Sequence, residues 1–305
     1  MDRRLLIGGL LVIIWSWTTI FITMLSDDFD VITQNFFRYS SGSLFLLFCT
    51  MFFWRSDFLA ASRRLPLFLI PAVLVFAFQL VWVKAIYLTT PTISVLVSKL
   101  DLLFIALLAA VFFGSERRIV TSKWFILGAA LGLLGVMGVM LGRGDDVDGG
   151  FTLGIILLLV RCCIWGVYTI LLRWFVTKVE PVIAATWVFL IASVLFLPTV
   201  LIWGDIGSVT GASIDINIIL FGSGALCVGL GNALNYTSIK QLGPTVTTSL
   251  LLLTPFIAGI ISFFICDETL TMVQVISGVL ILIGCWVILR GQRKTWHDHD
   301  KDGES

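Results

Sequence analysis

Five ionisable side chains, Arg38, Lys84, Lys99, Asp101 and Arg161, stand inside long apolar runs of this 305-residue chain. At the middle of a bilayer each such charge costs about 2.5–3.5 kcal/mol on insertion scales, so it is kept only where it faces a cavity or a partner. Lys99 and Asp101 are two residues apart, roughly 200° around a helix, and so cannot pair with each other. Asp101 is the one acid among four bases, and the surplus of positive charge suits an anionic or zwitterionic solute. The expected arrangement pairs Asp101 with Arg161 or Arg38 and leaves Lys99 to meet a carboxylate or phosphate. Arg38 is expected to brace or gate the helices. Lys84, near the end of its run, can snorkel to the interface.

Around these charges the chain offers rings and amides. Trp15, Trp82, Trp165 and Tyr168 could form an aromatic wall, and Asn232 an amide donor and acceptor. Packing at a helix crossing and interhelix hydrogen bonding account equally well for these residues. Gln79 and Asn235 read the same way. Pro255 removes one backbone donor inside its helix and frees the Leu251 carbonyl, which makes it a kink or a gate. Catalysis is not expected. Both histidines, His297 and His299, lie in a polar tail, Cys162 and Cys163 point apart on one helix, and no metal site or cofactor motif is present.

The elements that position these residues follow from composition. With 58% hydrophobic and 13% charged residues and a mean hydropathy of +1.04, the chain cannot clothe a soluble surface. Ten apolar runs reach the roughly 20 residues a spanning helix needs. They run Leu5 to Leu25, Val31 to Trp54, Pro66 to Leu88, Thr92 to Gly114, Trp124 to Gly142, Phe151 to Val176, Val182 to Trp203, Asn217 to Ile239, Thr245 to Cys266 and Thr271 to Arg290, joined by short turns. Continuous apolarity excludes barrel strands, and the first run is too long for a cleaved signal peptide. Every Lys and Arg outside the runs except Arg143 falls on the amino-terminal side, while Asp27, Asp28, Asp30, Asp145, Asp146 and Asp148 fall opposite. Both termini are therefore expected in the cytoplasm. The sequon at Asn235 is then on the wrong side for a glycan. Glycines 128, 132, 135, 138 and 142 in the fifth run, and 222, 224, 229 and 231 in the eighth, mark close helix packing.

The halves resemble each other. Ile14-Trp15-Ser16-Trp17-Thr18-Thr19-Ile20 matches Ile164-Trp165-Gly166-Val167-Tyr168-Thr169-Ile170, and Phe104-Ile105-Ala106, Phe112 and Glu116 match Phe256-Ile257-Ala258, Phe264 and Glu268 at nearly constant spacing. Pro91-Thr92 faces Pro244-Thr245. Five helices per half is an odd number, so the second half must be inverted, a device suited to alternating access. In this alignment Lys99 and Asp101 stand against Leu251 and Leu253, and Arg161 against Leu11. The expected organisation is 1–148 for the first repeat, 149–290 for the second and 291–305 for a polar cytoplasmic tail.

The Trp15-Ser16 and Trp165-Gly166 openings, Asn35-Phe36-Phe37-Arg38, Phe113-Gly114-Ser115-Glu116-Arg117 and the glycine-rich fifth helix resemble the EamA-type, ten-helix branch of the drug/metabolite transporter superfamily. The resemblance implies an all-α membrane protein of two inverted five-helix repeats around a central pathway, generally exporting small organic metabolites. The sequence departs from that pattern where Pro255 has Leu103 as its mate. The expected function is secondary-active export of an amino acid-like zwitterion or organic anion from a bacterial inner membrane. Solute and bilayer are the expected partners and nucleic acid is not; protons are a candidate coupling ion, and monomer and homodimer both remain open. The rival is a proton-coupled exporter of cationic amines or drugs with Asp101 as proton and cation site.

Overall fold

The computed structural model describes residues 3–112, 120–142, 149–175, 179–242 and 244–302. It is all helix. In order come α1 (Arg3–Met24), α2 (Val31–Phe53), α3 (Arg55–Ala61), α4 (Pro66–Leu88), α5 (Pro91–Ser98), α6 (Asp101–Phe112), α7 (Lys123–Leu141), α8 (Gly149–Phe175), α9 (Pro181–Trp203), α10 (Ile206–Gly211), α11 (Ile214–Ser223), α12 (Gly231–Leu242), α13 (Pro244–Leu251), α14 (Thr254–Ile265) and α15 (Met272–Asp302). Among the described residues nine passes are long and apolar enough to cross a bilayer, counting α5 with α6 and α11 with α12. The tenth is divided between α13 and α14. Two short helices, α3 and α10, replace what the sequence suggests are plain turns, and the last pass continues as helix to Asp302.

Local chemistry sets the boundaries. Asp30 caps α2 by accepting hydrogen bonds from the amides of Ile32 at 2.8 Å and Thr33 at 3.0 Å, and Ser122 caps α7 through the Phe125 amide. Pro66, Pro91 and Pro181 open helices where a missing N–H costs nothing. Burial pushes the Asp30 carboxyl up, but the Thr33 hydroxyl and the amides of Thr33, Asp205 and Ile32 outweigh it and hold the group below the usual carboxylate range.

The fourth and ninth passes are not continuous. Each starts at a proline, runs eight residues, breaks, and resumes for twelve. At the first break the bonding tightens to three-residue steps, from the amides of Lys99 and Leu100 to the carbonyls of Leu96 and Val97; at the second, the Leu253 amide reaches Leu250. Matching the halves by these elements places Asp101 opposite Thr254, the residues that open the second segments, and Lys99 opposite Leu252. The leucine mates expected from the sequence are thus one residue out of register. A break in pass four needs no proline because Arg161 and Cys285 take up the carbonyls of Ser98 and Lys99.

Two large apolar cores and three smaller clusters hold the bundle. One gathers Val83, Ile86, Leu100, Leu158 and Ile281 from α4, α5–α6, α8 and α15, and the other Tyr39, Phe68, Val188, Phe196 and Tyr236 from α2, α4, α9 and α12. Trp165 packs against both. Exposed Phe48, Leu141, Ile214 and Phe264 face outward, as a lipid-bathed surface requires. Helices α7 and α15 touch backbone to backbone: a Cβ at Gly284 would lie 2.5 Å from the Gly128 carbonyl oxygen. Gly222, by contrast, has open space around it and is no packing site. Gly284→Val forces α7 and α15 apart and lowers stability by about 1–3 kcal/mol, read as an earlier unfolding transition of the detergent-solubilised protein. An unchanged transition would show that this contact does not hold the pair.

Candidate functional site

A cavity of about 160 Å³ opens where α1, α2, α4, α5–α6, α8, α12 and α13–α14 converge. Its wall includes Trp15, Arg38, Trp82, Lys99, Asp101, Arg161, Trp165, Tyr168 and Asn232, residues that the sequence could nominate but not assemble. The wall extends to Leu172, Ile239 and Thr247, each three residues from the basic end of its helix. At the opposite, acidic end the helices are tied together. The Glu268 carboxylate accepts hydrogen bonds from the Thr92 amide at 3.1 Å, the Thr92 hydroxyl at 2.6 Å and the Ser262 hydroxyl at 2.5 Å. Tyr87 donates to the Phe29 carbonyl, and the Asp205 amide donates to Asp30. By its sequence match the counterpart of Glu268 is Glu116, which lies outside the described residues.

Arg161 is the most heavily coordinated charge among the described wall residues. Its guanidinium carbon lies 4.5 Å from the Trp82 ring centre, 4.9 Å from Phe78 and 5.5 Å from Trp165. Nη1 donates to the Ser98 carbonyl at 3.2 Å and meets the Asp101 carboxylate at 3.5 Å. The pairing of Asp101 therefore goes to Arg161 and not to Arg38. Lys99 lies on the wall beside this pair, and its ammonium makes no hydrogen bond or ion pair with a described residue.

Arg38 is fully buried. Its Nε donates to the Ser223 hydroxyl at 3.1 Å, so it does join α2 to α11 as expected of a brace. It also borders the cavity, and both Nη1 and Nη2 lack partners. Against its backbone lies an irregularity that no sequence period announces, a π-helical turn over Gly224–Leu230 between α11 and α12. A Cβ at Gly224 would come within 2.8 Å of the Arg38 Cα.

Trp15 meets Trp165 edge-on at 6.2 Å, so the pair both packs and lines the wall. Tyr168 is hydrogen-bonded to Tyr236, and Asn232 spends its amide on the Val228 carbonyl. Pro255 lines a separate apolar groove with Phe256, Gly259 and Phe263 instead of the cavity, and the Leu251 carbonyl it frees accepts from the Thr254 hydroxyl at 2.7 Å. Lys84 is exposed near its helix end. The sequence singled out neither Thr19 nor Thr254 as wall residues, and it left Gln79 and Asn235 open between solute contact and interhelix hydrogen bonding; all four line the cavity. Threonine and amides within helices are too common to signal a site without neighbours.

The model of the EamA-like transporter family matches residues 4–141 and again 152–290. The chain belongs to the EamA-like transporter family. An integral membrane protein with a duplicated EamA unit, it is a transporter and not an enzyme. An "uncharacterized transporter" of Haemophilus influenzae is 25% identical over 279 residues, covering 88% of this chain and 91% of the relative. A solved structure titled only "Crystal structure of protein" superposes with a TM-score of 0.68 at 18% identity, over 96% of this chain and 99% of its own. That likeness concerns the fold alone.

Proposed function

We propose that this transporter exports a small organic anion or amino acid-like zwitterion by alternating access between its two repeats, from a bacterial inner membrane with both termini in the cytoplasm. One observation carries the substrate reading. Among the described wall residues, the buried side-chain atoms left without a partner are four nitrogen donors, Arg38 Nη1 and Nη2, Arg161 Nε and Asn235 Nδ2, together with the hydroxyls of Thr18 and Thr19. Buried donors without acceptors are costly, and an acceptor-rich solute relieves that cost. The orientation rests on the basic end lying inside. In that orientation the ties at Glu268, Tyr87 and Asp30 close the outer side, and the cavity leans toward the cytoplasm.

The cationic-amine reading is disfavoured because the one acid on the wall, Asp101, is engaged by Arg161. Thermal unfolding of the purified protein against a panel of carboxylates, amino acids, phosphates and amines tests the choice. Binding raises apparent stability by about 2.7 kcal/mol at a hundredfold excess over Kd. Carboxylates or amino acids are expected to shift the transition. Stabilisation by amines alone would overturn the reading.

A further inference from the structure

The cavity has two cationic poles, and they differ in kind. On the α2 wall, the bond from Arg38 Nε to Ser223 holds the guanidinium in place and leaves its Nη1–Nη2 edge free. That planar edge matches the two oxygens of a carboxylate. At the break between α5 and α6, Lys99 presents an ammonium, a compact charge with no fixed geometry. Between the remaining charges, Asp101 balances Arg161. Asp101 also acts on Lys99, so among the described wall residues one acid faces three cations, Arg38, Lys99 and Arg161, and a surplus of two positive charges is left.

These poles belong to different parts of the bundle. Arg38 is carried by α2, and Lys99 by the break between α5 and α6. A solute with a single acid group can neutralise one of them and leaves the other bare in a largely apolar setting. Two anionic groups on one short skeleton neutralise both. The Trp82 and Trp165 rings along the wall suit the apolar carbons between them.

Resting on the reading that this cavity binds an anionic solute, we propose that the solute is a dicarboxylate, with or without an amino group, held by one carboxylate on Arg38 and the other on Lys99. Arg38 is then the specificity-determining pole, because only a planar acid group satisfies both of its free nitrogens.

The test measures binding of succinate, glutarate and adipate to the purified full-length protein, each beside its monomethyl ester and beside inorganic phosphate. At one chain length the diacid is expected to bind at least tenfold tighter than its monoester, equivalent to about 1.4 kcal/mol. Lys99→Met and Arg38→Gln should each reduce the diacid to the affinity of the ester. Arg38→Lys keeps the charge but removes the fork, and should lose most of the preference while still folding. Equal affinity of diacid and monoester at every length, or phosphate binding as tightly as the best diacid, would overturn the proposal and leave a one-pole anion site standing. Failure of every anion to bind would overturn the anion reading itself.

Discussion

Asp101→Asn lowers the stability of the protein by about 3–5 kcal/mol and stops transport, because it leaves Arg161 charged and nearly buried with no acid beside it. The side chain of Arg161 is 8% exposed and that of Asp101 17%, so water offers little compensation. The rings of Phe78, Trp82 and Trp165 attract the guanidinium but cannot replace a full negative charge. Combining Asp101→Asn with Arg161→Met removes both charges and should restore most of the lost stability while transport stays off. Equilibrium unfolding of the two single variants and the double variant gives the coupling directly. A single-variant cost below about 1 kcal/mol would place the pair in the weak class of exposed ion pairs and remove it as the keystone of the α6–α8 contact.

Arg38→Gln has the opposite sign for stability. The wild-type side chain is fully buried with two unpartnered nitrogens, and an unsatisfied buried donor costs about 1–3 kcal/mol. Glutamine keeps a donor for Ser223 and discards the charge, so the ligand-free variant is expected to unfold later than wild type by an amount in that range. Its stabilisation by carboxylates should fall at the same time. Gain in stability with loss of ligand response distinguishes a residue kept for binding from one kept for packing. A variant that unfolds earlier than wild type would make Arg38 a structural brace after all, held by its bond to Ser223 and nothing more.

These two residues also show what sequence reasoning can reach. That both arginines sit inside membrane passes was legible from hydropathy, because a charge in a 20-residue apolar run stands out locally. Which of them holds Asp101 was not, since helix spacing says which residues share a face but not which helices become neighbours. The register of the repeat shows the same limit. Short matches such as Phe104-Ile105-Ala106 with Phe256-Ile257-Ala258 revealed the duplication, yet they set Asp101 against a leucine. The segment starts at Pro91 and Pro244 set it against Thr254, another cavity residue. Apolar helices tolerate a one-residue slip in a sequence comparison because their residues are so alike, while a helix break admits no slip at all.

The sequence by itself determined the membrane class, the ten passes, the duplication and the identity of the intramembrane charges, because each depends on local apolarity or on self-similarity along the chain. The tertiary structure alone decided that Asp101 belongs to Arg161, that Arg38 is buried with two unpartnered nitrogens, and that a π-helical turn opening at Gly224 packs against its backbone. Those outcomes depend on which backbones approach within a few ångströms, and that proximity is a property of the packed bundle that no single helix carries.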